Sequence, residues 1–147
     1  MGRATQIERI ISKGQLVPFL FAQDAIADAQ SAVAMNIMET TATTSTLPVT
    51  EYVIPWDFEL VGIAVVSSEA RTAGTATVDA TVDGTVTGLT AVLNATDTTR
   101  AYARQARGLD VGSAGARIGV KLTTASWTPV TADLAVVVYA LVHLEGI

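Results

Sequence analysis

Asp79 and Asp83 lie on the polar side of one alternating run, and paired carboxylates can serve a glycosidase or hold calcium. A glycosidase pair needs a set separation across a cleft, and a calcium site needs several converging oxygens. Neither is legible around these two residues, and a solvated strand face accounts for them without further assumption. His143 is the single histidine. It cannot build a histidine zinc site alone, no triad partner neighbours it, and a structural or interface role is expected. Arg100, Tyr102 and Arg104 alternate with Ala101 and Ala103. Such a stripe could grip an acidic patch or stack a sugar ring, or its arginines could simply pair with surface carboxylates. Trp56 and Trp127 adjoin prolines and strand ends, where an indole commonly anchors a core or rim. Trp127 is also kept with Arg100, Tyr102 and Arg104 as a candidate ligand surface. Gly84 and Gly88 fall in a hairpin rather than ahead of a helix, so they form no phosphate loop. There is no cysteine, hence no disulfide framework and no thiol or Cys-metal chemistry. The expectation is a non-enzyme with no cofactor and no metal.

The elements that carry these residues read as strands. From Thr75 to Asp83 the alternation is strict, with Ala76, Val78, Ala80 and Val82 on one side and Thr or Asp on the other. Asp83-Gly84 supplies a turn, and Leu89, Ala91 and Leu93 continue on the far side, which predicts a β-hairpin. Further strands are expected near 33–39, 51–56, 59–67, 99–106, 116–123 and 132–144. Pro and Gly fall mostly between them. Eight short antiparallel strands give an all-β, jelly-roll-like sandwich over residues 32–147, with an immunoglobulin-like sandwich as the other topology.

Residues 1–31 break this pattern and are expected to form an extended N-terminal arm, with a short helix over the Ala-rich 22–31. Arg3, Arg9 and Lys13 make its start basic, and no further Lys or Arg occurs before Arg71. With Ile10, Phe19 and Phe21, they are the candidates for an arm that docks on an acidic or apolar partner. A solvated terminus is the bland alternative. The short apolar stretch LVPFLFA contains Pro18 and lacks a small-x-small cleavage site, so a signal peptide is not expected. A net charge of −5 argues against nucleic acid as a partner, and no apolar run approaches the ~20 residues of a membrane span.

In the last strand both faces are apolar. Leu134, Val136, Val138, Ala140, Val142 and Leu144 oppose Ala135, Val137, Tyr139 and Leu141. Residues 59–66 behave likewise, with Leu60, Ala64 and Val66 expected opposite Val61, Ile63 and Val65. One face of an antiparallel sandwich normally meets water, so a second burial surface is implied. Val137, Tyr139, Leu141 and His143 are the candidate subunit interface. Cover by the chain's own arm is the monomeric alternative.

The stretches YVIPWDFELVGIAVVSSEARTAGTATVDATVDGTVTGL, YARQARGLDVGSAGARIGVKLTTASWTP and TADLAVVVYALV resemble a β-domain that recurs in virion proteins of tailed bacteriophages. The resemblance spans roughly residues 51–142. It implies a jelly-roll-like domain, often trimeric, used in head decoration, head fibres or tail spikes. It carries over no site residue. Phe58-Glu59 stand where the pattern often has Asp-Gly or Gly-x, and Gly112 stands where it has an aromatic. The expected function is a homotrimeric decoration, or cement, protein. It would be made in the bacterial cytoplasm and bound to the major capsid protein on the capsid exterior. A glycan- or host-surface-binding module of a head fibre or tail is the alternative.

Overall fold

The computed structural model describes residues 14–37 and 49–144. Over them the chain forms ten strands: β1 (Gln15–Gln23), β2 (Val33–Ala34), β3 (Glu51–Val53), β4 (Phe58–Ser67), β5 (Ala73–Val82), β6 (Thr85–Leu93), β7 (Arg100–Arg104), β8 (Asp110–Gly112), β9 (Arg117–Thr128) and β10 (Leu134–Val142). One sheet runs β1-β10-β4-β7, with β8 also paired to β4. The other runs β2-β9-β5-β6, with β3 also paired to β9. All pairings are antiparallel, and the chain passes from sheet to sheet after nearly every strand or short pair of strands. The expected all-β sandwich is borne out.

The inward faces meet in a single core. Leu60, Ile63 and Val65 of β4 and Leu134, Val136, Val138 and Ala140 of β10 come from the first sheet. Ala76, Val78 and Ala80 of β5, Leu89, Ala91 and Leu93 of β6, and Ile118, Val120 and Leu122 of β9 come from the second. Each larger aliphatic chain so buried contributes on the order of 1.5–3 kcal/mol. The β5–β6 hairpin turns as read from the sequence: Asp83 and Gly84 have φ of 50° and 76°, the left-handed pair of a type I′ turn, matched to the right-handed twist of the strands.

One irregularity shifts a face that strict alternation misassigns. In β4 the register slips between Tyr139 and Ala140 of its partner, so that Val61 is an extra residue. Leu60 therefore joins Ile63 and Val65 in the core, while Val61, Ala64 and Val66 turn outward. In β5 the pairing with β6 slips between Asp79 and Thr81, but the register with β9 runs unbroken from Thr75 to Val82, and Val82 keeps its inward side, packed on the core margin.

The N-terminal reading needs correction in three respects. Residues 15–23 are not arm but strand β1, paired along its whole length with β10. Phe21 is only 2% exposed, and Phe19 packs on the core margin. The rings of both contact Tyr52, at 5.2 and 5.4 Å, and the Tyr52 hydroxyl donates to the Leu20 carbonyl at 2.9 Å. The expected boundary after residue 31 thus does not separate β1 from the sandwich. Nor is there a helix over 22–31. Ala25, Ala29 and Ala32 have positive φ, and hydrogen bonds from the segment run across to β9 and to the turn before β10. Ile26 N–H donates to Ala132, Gln30 N–H to Thr124 Oγ1 and Ala32 N–H to Thr123 Oγ1, with Ile26 fully buried. These tertiary bonds override a helix propensity that for alanine is a fraction of a kcal/mol per residue.

Candidate interaction surface

The antiparallel register fixes which residues share the outer face of the β1-β10-β4-β7 sheet, because alternate side chains point the same way. Four cross-strand rows result. Leu16 pairs with Leu141, which pairs with Glu59. Pro18 leads to Tyr139, Gly62 and Arg104; Leu20 to Val137, Ala64 and Tyr102; and Ala22 to Ala135, Val66 and Arg100. The middle of this face is wholly apolar. Leu16, Leu20 and Val66 are each more than half exposed and Tyr102 is 75% exposed, while Val137, Tyr139 and Leu141 are half-buried among their neighbours. Two shallow depressions cross it, one beside Val66, Tyr102 and Val137, the other beside Leu16, Gly62 and Tyr139.

Gly62 has a local reason. Tyr139 lies over it, and a Cβ there would sit 3.5 Å from Tyr139 Cδ2, so the missing side chain gives the ring a flat seat. At roughly 4.8 Å per strand and 3.4 Å per residue, four strands by seven residues make a patch on the order of 450 Å². That lies in the range where the largest apolar patch of a protein is commonly functional.

The structure brings together the two candidate sets the sequence kept apart. Val137, Tyr139 and Leu141 of β10 and Arg100, Tyr102 and Arg104 of β7 lie on one face, joined by β4. His143 stands at its end, two residues beyond Leu141, with Nε2 3.8 Å from Glu59 Oε1. Glu59 is buried although its strand position faces outward, because the loop after β7 folds over it. Arg107 Nε bonds to Glu59 Oε1, and the Gly108 N–H donates to Glu59 Oε2 at 2.9 Å. Gln105 Nε2 ties the same loop to the Leu60 carbonyl and to Asp110.

Other candidates fall elsewhere. Trp127 is a correction: it is fully buried, its Nε1–H donates to the Pro129 carbonyl at 2.9 Å, and its backbone N–H donates to Asp28 Oδ1 at 2.8 Å. It cannot belong to a ligand surface. Trp56 is exposed and lines, with Tyr52 and Val53, a depression separate from those beside Tyr102. Asp79 accepts from Thr90 Oγ1 at 2.5 Å across the hairpin, and Asp83 accepts from the Arg117 N–H at 3.0 Å, tying the turn to β9. Among the described residues no cluster of three His, Asp or Glu could hold a metal ion. Arg3, Arg9, Ile10 and Lys13 lie outside the described residues.

Sequence reasoning missed the acidic corner next to this face. Asp24 and Asp133 meet just beyond Ala22 and Ala135. Asp133 Oδ1 accepts the Ala25 N–H at 2.8 Å. The hydrogen bond with Asp24, and then the Ala25 N–H, hold the Asp133 carboxyl below the usual carboxylate range. The two residues are 109 apart in sequence, and no local pattern links them.

No family model matches the chain, and no curated protein does. Solved structures similar to it include a chain of the acidic stable capsid structure of Helicobacter pylori bacteriophage KHP30, at 11% identity and TM-score 0.47, covering 88% of this chain and 93% of that one. A chain of the cyanophage Pam1 capsid asymmetric unit is similar at 12% identity and TM-score 0.47, covering 88% and 86%. The globular domain of zebrafish complement 1qA protein is similar at 13% identity and TM-score 0.39, covering 85% and 95%.

Proposed function

We propose that this chain is a structural virion protein of a tailed bacteriophage, a homotrimer that decorates and cements the head. The observation that carries the reading is the apolar outer face of the β1-β10-β4-β7 sheet. A sandwich that works alone in water would present polar residues there, whereas self-association buries this face against a neighbouring copy. The phage-like sequence pattern over residues 51–142 supplies the virion context. A binding role fits where the arginines, the tyrosine and the carboxylates singled out from the sequence lie, on a sheet face or in strand and turn contacts.

The mechanism is linkage. A ligand that binds the assembled shell and not its dissociated subunits stabilises the shell by mass action. Three copies joined in one trimer present three contacts whose affinities combine through effective concentration. The basic stretch with Arg3, Arg9 and Lys13, together with Ile10, is the part assigned to the major capsid protein, on the chemistry of those residues alone.

Full-length protein added to undecorated heads of its own phage should co-sediment with them and raise their melting temperature. A chain lacking residues 1–13 should stay self-associated and bind heads at least tenfold more weakly. Self-associated protein that neither sediments with heads nor shifts their melting would refute the cementing role.

A further inference from the structure

The apolar face carries opposite charge at its two sides. Arg100 and Arg104 project from β7 on one side, where Asp97 also borders the depression beside Arg100, and neither arginine forms an ion pair with any described residue. On the other side Asp24 and Asp133 stand past the ends of β1 and β10, beside Gln23 and Ser68. At ~4.8 Å per strand, Asp133 lies two spacings and Asp24 three from β7, roughly 10 and 14 Å, both beyond the ~8 Å screening length at physiological salt.

The register also sets their heights along the strands. Arg100 is level with Val66, Ala135 and Ala22, one alternation from the acidic pair. Arg104 is level with Gly62, Tyr139 and Pro18, where β1 and β10 offer no carboxylate. A second copy turned about an axis parallel to the strands keeps these heights, so its Arg100 comes within one alternation, about 7 Å and within reach of an arginine side chain, of Asp24 and Asp133, while its Arg104 stays level with apolar side chains.

We propose that the β7 edge of one copy docks on the Asp24/Asp133 corner of the next, with Arg100 as the residue that fixes the register of the apolar contact. The contact is heterologous: a basic edge meets an acidic corner, not its own like, and every copy contributes one of each. Such a contact closes as a ring when the rotation allows. Complementary charge at the rim sets orientation and excludes wrong registers more than it adds affinity, while like charge there is costly. The inference rests on the self-association reading above and specifies which surfaces of the two copies meet.

The test is sedimentation equilibrium of full-length protein and point variants, each checked for an unchanged β-sheet circular dichroism spectrum. Arg100→Glu should raise the dissociation constant about tenfold or more, Arg104→Glu less than about threefold, and Asp24→Lys added to Arg100→Glu should recover most of the loss. Equal effects of the two arginine variants, no effect of either, or no recovery by Asp24→Lys would overturn the docking scheme. In that case dissociation by Tyr139→Lys would show that the apolar face still associates, so the broader reading would stand. A wild-type protein that is monomeric at every concentration would instead remove both.

Discussion

At the scale of single residues, the two places where the chain departs from the phage-like pattern explain each other. Phe58 and Gly112 are direct cross-strand partners of β4 and β8. A Cβ on Gly112 would sit 2.2 Å from Phe58 Cζ, so the Phe58 ring fills the space a side chain at 112 would need. The departures are one exchange of volume across a strand pair. Gly112→Ala should therefore destabilise the fold by about 1–3 kcal/mol or more. Phe58→Ala should cost about 3–5 kcal/mol, and the pair together should cost less than the sum, measured as a coupling energy in a denaturation cycle. Additive costs would mean that the two sites do not share that space. Asp133 gives a pH prediction. Its carboxyl is held low in the folded protein, so the stability it contributes is present above the ordinary carboxylate pKa of 3.8 and is lost as pH falls through the lowered value. The melting temperature should fall on acidification below about pH 4, and less steeply in Asp133→Asn than in wild type. Parallel curves for the two proteins would contradict this.

At the scale of elements, β1 decides how far the N-terminal segment belongs to the sandwich. It is the edge strand beside β10, and Phe21 is a core residue. Phe21→Ala should cost about 3–5 kcal/mol in chemical denaturation. A cost near zero would return residues 15–23 to the status of a detachable arm. The strand is hard to read because Leu16, Pro18 and Leu20 face outward while Val17, Phe19 and Phe21 face inward, so no alternation marks it, and a proline within a run argues against a strand. Proline is tolerated on such an edge. β8 was missed because three residues carry no period. The hairpin was legible because its alternation and its Asp83-Gly84 turn agree, and β10 because its two apolar faces run for nine residues. The face assignment of β4 failed at one bulge, which no composition signals. Most of the candidate surface was likewise visible as separate stripes on β7 and β10. That they form one face depends on β4 lying between them, a long-range pairing that the sequence does not print.

At the scale of the whole molecule, the sandwich divides its work between two sheets. The β2-β9-β5-β6 sheet carries Thr and Asp on the outward side of its hairpin and is suited to water. The β1-β10-β4-β7 sheet presents Leu16, Leu20, Val137, Tyr139, Val66 and Tyr102 outward and is suited to another copy. If that face drives assembly, Val137→Lys should dissociate the oligomer without unfolding the protomer, because Val137 contributes little to the core between the sheets. A variant that stays assembled would move the interface elsewhere. The most direct measurement is the solution mass of the full-length protein by size-exclusion chromatography with light scattering, across a hundredfold range of concentration. The account predicts three times the 15.3 kDa chain mass. A mass of one chain throughout would contradict it, since no second copy would then cover the apolar face.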